Sequence, residues 1–478
     1  MSSADTHARV VRSSLLGLLA VVTLAACVAD PSAPDEPDAT PAFAKAPVGG
    51  PAVSSTLPTS GDQAQTLDVH VYGSGFTADA AAEWALHGVA DPTKVRTNKT
   101  TFVSSTEVVA NITIAPNAAI AYWDVRVKSG GKTGVGTELF EVTTAIPLMS
   151  GFAQAANDQG DIVGEFGSGA GVLRGADGSF SDLGPSQARG ISADGLTVAG
   201  AIPSMINGVP WAAVWTRVPG GAWPNAGTHL PDPLGMSAGG GRANGIATIA
   251  AEGVSVIPGA LKTPATVPVY WQSSDGTWQA PAQLLPIPAA YASSGNNWAW
   301  TIAPASGDIG GNLADVPAVW RRVSGSYVAE VLPLPSGYPI GVVQGISPDG
   351  TILVGYVRVS TKGRQVFAPA AWTHNAASGS YTVNLLPTLS GTYGADGKGW
   401  GVTVVGTQVR AVGTSPSSAD SFLHAALWTW TVGAADFQVR DIGGLGRKTD
   451  VTANGINPSG TIVVGGDGTS TAIKWRLP

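Results

Sequence analysis

Cysteine is almost absent from this 478-residue chain: Cys27 is the only one, so no disulfide can form within it. Charge is scarce too. Asp, Glu, Lys and Arg make up 12% of the residues, about half the usual share. Long solvent-facing helices need Lys and Glu on their outer faces, so the shortage argues against a helical fold. No run of Lys or Arg occurs and the net charge is −7, which excludes the phosphate-neutralising surface that a nucleic-acid partner requires. The histidines, His7, His70, His87, His229, His374 and His424, never fall three to five residues apart, so the usual zinc-ligand pair is missing. The Asp-x-Asp-x-Asp-Gly calcium loop is missing as well. No metal, no other cofactor and no catalytic residue is assigned.

Glycine, with 63 residues, and tryptophan, with 15, are what the chain has in abundance. With so few charges, they point to short strands joined by tight turns, an all-β chain. Asp-Gly pairs, with the acid at Asp177, Asp194, Asp275, Asp349, Asp396 and Asp467, suit hairpin turns because both residues tolerate positive φ. Gly235-Met236-Ser237-Ala238-Gly239 fits the nucleophile-elbow pattern. That motif needs a strand before it and a helix after it. Here it lies in a glycine-rich connection with no helix signal, and is read as a chance match.

The amino-terminal stretch carries His7, Arg9 and Arg12, then the apolar run SSLLGLLAVVTLAAC, too short to span a membrane. Leu24-Ala25-Ala26-Cys27 resembles the lipobox of bacterial lipoproteins. The resemblance implies a signal peptide over residues 1–26, acylation of the Cys27 thiol and a lipid anchor in the membrane. Val28 follows where an Asp would favour inner-membrane retention, which implies the outer membrane or cell surface. Residues 27–51 are rich in Pro, Asp and Ala and read as a disordered tether.

Residues 52–144 alternate apolar and polar residues in several short runs, such as TLDVHVYGSGF and EVVANITIA, which predicts a small β-sandwich. The stretch Val69-His70-Val71-Tyr72-Gly73-Ser74-Gly75-Phe76, with Ser104 to Ala110 and Glu138 to Val142, resembles the immunoglobulin-like domains of IPT/TIG type. Such domains act as spacers or protein-contact modules.

Residues 145–478 repeat one unit. Arg189 to Gly200, Gln344 to Gly355 and Ala453 to Trp475 share Gly-Ile, a polar turn and an apolar run closing on Gly. Each unit continues to a strand ending in Trp and then to Leu-Leu-Pro or Asp-x-Gly. The tryptophans are Trp215, Trp271, Trp320, Trp372, Trp428 and Trp475, roughly fifty residues apart. Leu173-Arg174 takes the same place in an earlier copy, which makes seven units. Four short strands per unit at this period predict a seven-bladed β-propeller. The last copy lacks its fourth strand, and Ala145 to Gly151 is predicted to supply it. Asn454-Gly455-Ile456-Asn457, Ile462 to Gly465, Asp182-Leu183-Gly184 and His424-Ala425 resemble the HAF repeats of secreted bacterial proteins. That family implies the fold and an extracellular setting, without a settled activity.

Aromatic residues outside the repeating Trp position are candidate ligand platforms if they lie in exposed loops. Trp298, Trp300, Tyr393 and Trp400 are the candidates. The function expected is non-catalytic binding of a glycan or a surface protein. The alternatives are a polysaccharide hydrolase or lyase with carboxylates near the propeller axis, and a purely structural envelope component. An apolar and aromatic rim would favour binding, and converging charges would favour catalysis.

Overall fold

The computed structural model describes residues 50–63, 65–143, 145–167, 169–203, 210–233, 239–263, 265–361, 363–391, 396–417, 421–445 and 449–477. The signal segment, Cys27 and the tether up to residue 49, together with Ser237 and Tyr393, lie outside them. From residue 49 onward the chain forms one compact unit. It is all-β: among the described residues the only helical element is the 3₁₀ turn Ala289–Tyr291.

Two sheets are built by the residues before Thr144. One has the order Ala52–Leu57, Thr66–Ser74, Glu107–Ile114, Val95–Ser104; the other runs Ser60–Asp62, Lys132–Thr143, Ala121–Ser129, Ala81–Leu86, Val89–Ala90. Alternation decides which face is buried. In Glu107–Ile114 the side chains of Val108, Ala110, Ile112 and Ile114 are fully buried, and the residues between them are half-exposed. They share one core with Trp84, Trp123 and Phe140 of the second sheet. Trp84 meets Phe140 edge-on at 5.8 Å, a favoured arrangement of ring quadrupoles.

The repeats form antiparallel sheets. Five successive copies each make a separate sheet, and each of these contains four strands in sequence order; the one opening with Gly241–Ala243 gains an extra short strand, Ala247–Ile249. The first and last copies are joined in one seven-stranded sheet by Ala145–Ala156. Its beginning, Ala145 to Ser150, pairs with the final strand Thr471–Arg476, and its end, Gly151 to Ala156, pairs with Ile162–Phe166. The amino-terminal part of the repeat region therefore completes the last copy, with the changeover one residue earlier than predicted. Gly151 makes the bend, with φ +132, and a Cβ there would lie 2.0 Å from the Glu165 carbonyl oxygen.

Neighbouring sheets pack face against face in sequence order, and the seventh packs on the first. At that closing junction the Asn454 amide donates to the Ala153 carbonyl at 3.0 Å, and the Asn457 amide donates to the Asp158 carboxylate at 2.8 Å. The six repeating tryptophans are at most 1% exposed. Each indole N–H reaches the preceding sheet and donates to a carbonyl there: Leu183, Pro231, Pro286, Pro333, Pro387 and Gly443, at 2.6 to 3.2 Å. Those acceptors sit in the Leu-Leu-Pro and Asp-x-Gly ends of the repeat. Leu173 pairs with Ile162 at the position Trp holds in the other copies. Of the Asp-Gly acids, Asp177, Asp194, Asp275 and Asp349 sit in turns whose following glycine has φ between +66 and +81, each carboxylate accepting a bond from the backbone N–H two residues on. The glycines after Asp396 and Asp467 are not at positive φ; Asp467 still accepts from the Thr469 N–H at 3.1 Å, whereas Asp396 pairs with Arg364.

Candidate functional site

The first strand of each copy lies innermost, and it is interrupted at one place. In six copies the register slips by one residue, skipping Gln154, Arg189, Trp300, Gln344, Trp400 or Asn454. In the remaining copy the strand breaks between Gly241–Ala243 and Ala247–Ile249, and Asn244 takes the equivalent place. A bulge of this kind frees one residue from the ladder and re-aims its side chain.

The closing glycine of the repeat makes the bulge possible. Gly355 pairs with Val343, next to the skipped Gln344. A Cβ on Gly355 would stand 1.9 Å from the Val342 carbonyl oxygen. The backbone of the bulged strand comes too close for any side chain there.

All seven freed residues line one cavity of about 660 Å³, bounded by the innermost strands of every copy. The size suits a small ligand or a short oligomer. Beyond the bulge the walls turn apolar, with Ile191, Ile246, Ile302, Ile346, Val402 and Ile456. Arg189 and Arg242 are the charged residues among the lining, and no Asp or Glu belongs to it. Three buried polar atoms in the lining residues have no hydrogen-bond partner among the described residues: Arg189 Nε, Asn244 Oδ1 and Trp400 Nε1. Unpaired buried polar groups are costly, so these three are concentrated where the wall is least well satisfied by the protein itself.

The condition set for the aromatic candidates was exposure in a loop; Trp298, Trp300 and Trp400 instead lie on the innermost strands and are half-buried. Strand pairing, invisible to an aromatic count, placed them there. Trp300 and Trp400 line the cavity; Trp298 does not, but stacks on Trp300 at 4.8 Å and 9°. Asn296 and Asn312 fix the pair by accepting from the two indole N–H groups at 2.7 and 3.0 Å. Beside Trp400, the Lys398 ammonium sits 4.2 Å from the Phe367 ring, 5.1 Å from Tyr356 and 5.7 Å from Trp400. Burial, together with the nearby Arg358, holds its pKa below the usual lysine range.

Gln154, Arg189, Arg242, Asn244, Gln344 and Asn454 also line the cavity, and aromatic content gives no sign of them. Five of these are recoverable by one rule: the residue immediately before Gly-Ile, or its equivalent, is the bulge residue in every copy. That position varies chemically while its neighbours repeat.

A second, narrow cleft joins the two-sheet module to the repeats. It is lined by Tyr122, Glu141, His424 and Asp441 among others. The Glu141 carboxylate accepts from the Gly444 N–H at 3.0 Å, and His424 Nδ1 lies 2.5 Å from Asp441. With its contacts satisfied locally, this junction has the character of a structural joint.

Among the described residues no group of three or more His, Cys, Asp or Glu is placed to hold a metal ion. No family model and no curated protein matches the chain. Among solved structures, it is similar to a chain of a mitotic checkpoint complex, at 12% identity and a TM-score of 0.41, over 70% of this chain and 93% of that one. A DUF4784 family protein from Bacteroides caccae is similar at 8% identity and a TM-score of 0.27, over 82% of this chain and 96% of that one.

Proposed function

We propose that this protein is a lipid-anchored bacterial surface protein whose immunoglobulin-like module carries a seven-bladed β-propeller, and that the axial cavity of the propeller binds a glycan without cleaving it. The cavity carries this reading. It presents two indole faces, on which sugar rings stack, and side-chain amides from Gln154, Asn244, Gln344 and Asn454, which can donate to and accept from hydroxyls. A folded partner protein is disfavoured because the lining is concave and axial, whereas protein interfaces are broad and comparatively flat. The hydrolase or lyase alternative needs a positioned acid and base, and the lining supplies no carboxylate for either role.

The test is a binding screen of the full chain against bacterial and plant polysaccharides, with release of reducing ends followed in the same wells. Retention without release is the expected result. Appearance of new chain ends would overturn the non-catalytic reading, and absence of retention on every polysaccharide would overturn the glycan reading.

A further inference from the structure

Two cations face the same cavity without enough negative charge to balance them. Arg189 is the bulge residue of its strand, and Arg242 lies two residues before Asn244, the equivalent residue of the next copy. Both line the cavity. Among the described residues Glu165 is the only carboxylate paired with either, and it sits 3.9 Å from Arg189 Nη2, at the outer limit of an ion pair. Gln187 Oε1 accepts from the same nitrogen at 3.4 Å, a long bond. Arg189 Nε is buried with no partner. The Arg242 side chain has no ion pair or hydrogen bond among the described residues.

Like charges in a partly desolvated cleft repel, and a surplus of one sign draws in a counter-ion. Burial and the Arg242 charge both disfavour the protonated form of Arg189, yet an arginine stays charged in a protein. The fold holds this repulsion where a leucine or glutamine would fill the same space without it. A guanidinium fork matches the oxygens of a carboxylate or sulfate, two at a time.

Resting on the axial-glycan reading, we infer that the ligand is an acidic sugar, with a carboxylate or sulfate-ester group seated between Arg189 and Arg242. Asn244 is fixed beside them by its Nδ2, which donates to the Ala299 carbonyl at 2.8 Å. Trp300, in the next copy, offers the ring face. The neutral amides and apolar residues of the remaining copies leave the charge requirement on this one side of the cavity.

The experiment is calorimetric titration of the full chain with three oligosaccharides of equal length: a uronate oligomer, a sulfated oligomer and an uncharged one. The acidic ligand should bind about tenfold or more tightly than the uncharged one. Arg242→Gln should weaken the acidic ligand by about tenfold or more and the uncharged one far less, closing the gap between them; because the Arg242 side chain has no ion pair or hydrogen bond among the described residues, the variant should fold. Arg189→Gln provides the second test of the pair. Preference for the uronate or the sulfated oligomer identifies which oxyanion is held. Equal affinity for charged and uncharged oligomers overturns the acidic-ligand inference and leaves the glycan reading standing. Tight acidic binding unaffected by either substitution also overturns it, by placing the anion elsewhere. Failure of all three to bind, together with an empty polysaccharide screen, overturns the glycan reading itself.

Discussion

The indole N–H of Trp372 donates to the carbonyl oxygen of Pro333 at 2.8 Å, tying one sheet to the sheet before it. The same tie recurs in five other copies, so the two most repetitive features of the sequence, Trp and Leu-Leu-Pro or its equivalent, are donor and acceptor of one interaction. The large ring fills the space between neighbouring sheets, and the N–H satisfies a carbonyl that would otherwise be buried without a partner.

Trp372→Phe separates these two contributions. The ring area is mostly kept and the hydrogen bond is lost, which should cost about 1–2 kcal/mol. Trp372→Ala should cost about 3–5 kcal/mol through the cavity it leaves. Urea unfolding midpoints at unchanged slope measure both, and a Trp372→Phe variant as stable as the parent would show that the N–H contributes nothing.

Gly355→Ala tests the link between the closing glycine and the bulge. The added Cβ would meet the Val342 carbonyl oxygen at 1.9 Å, so the inner strand must shift. A stability loss of about 1–3 kcal/mol is expected. Glycan affinity should fall as well, because Gln344 is displaced. A stable variant with unaltered binding would refute that link.

Trp400→Ala should weaken glycan binding by about tenfold or more while costing less stability than Trp372→Ala, since Trp400 is only half-buried and its indole N–H has no hydrogen-bond partner among the described residues to lose. Trp298→Ala should affect binding less, because Trp298 stands behind Trp300 and does not line the cavity. A larger effect at Trp298 than at Trp400 would place the ligand outside the cavity.

Asp62 sets a pH dependence of stability. Burial pushes its pKa up to about 6, against the opposing charge of Arg476. The folded state then holds a proton that the unfolded chain, with its ordinary carboxylate, releases near pH 4. Stability therefore falls as pH rises from about 4 to about 6 and stays lower above it. Partial solvent exposure limits the effect to on the order of 1 kcal/mol. Asp62→Asn should be more stable than the parent at pH 7 and indistinguishable from it at pH 4; the same difference at both values would rule out titration as the cause.

Cys27→Ser should move the protein from the membrane fraction to the soluble fraction of the producing bacterium and abolish incorporation of labelled fatty acid. Labelling that survives the substitution would place the anchor elsewhere.

Much of the architecture was legible because it repeats. The spacing of the six tryptophans, the substitute Leu173 and the missing fourth strand of the last copy were enough to anticipate the pairing of Ala145 to Ser150 with Thr471–Arg476. The site was legible only in part. Trp300 and Trp400 stand out as aromatics off the repeating position, but nothing in their neighbourhood marks the strand on which they lie. Gln154, Arg189, Asn244, Gln344 and Asn454 carry no sign of a site in the sequence, since each is an ordinary polar residue in its own copy.

By itself, the sequence determined local conformation and the interfaces between neighbouring sheets. Alternation sets the buried face of a strand, glycine permits the tight turns, and a large indole every fifty residues or so fills the same gap each time. Only the tertiary structure decided what faces the cavity. A bulge is a relation between two paired strands, and a cavity wall drawn from seven copies exists only when the last sheet packs against the first. Arg189 and Arg242 are distant in sequence from Trp400, and closure of the chain on itself puts all three around one space.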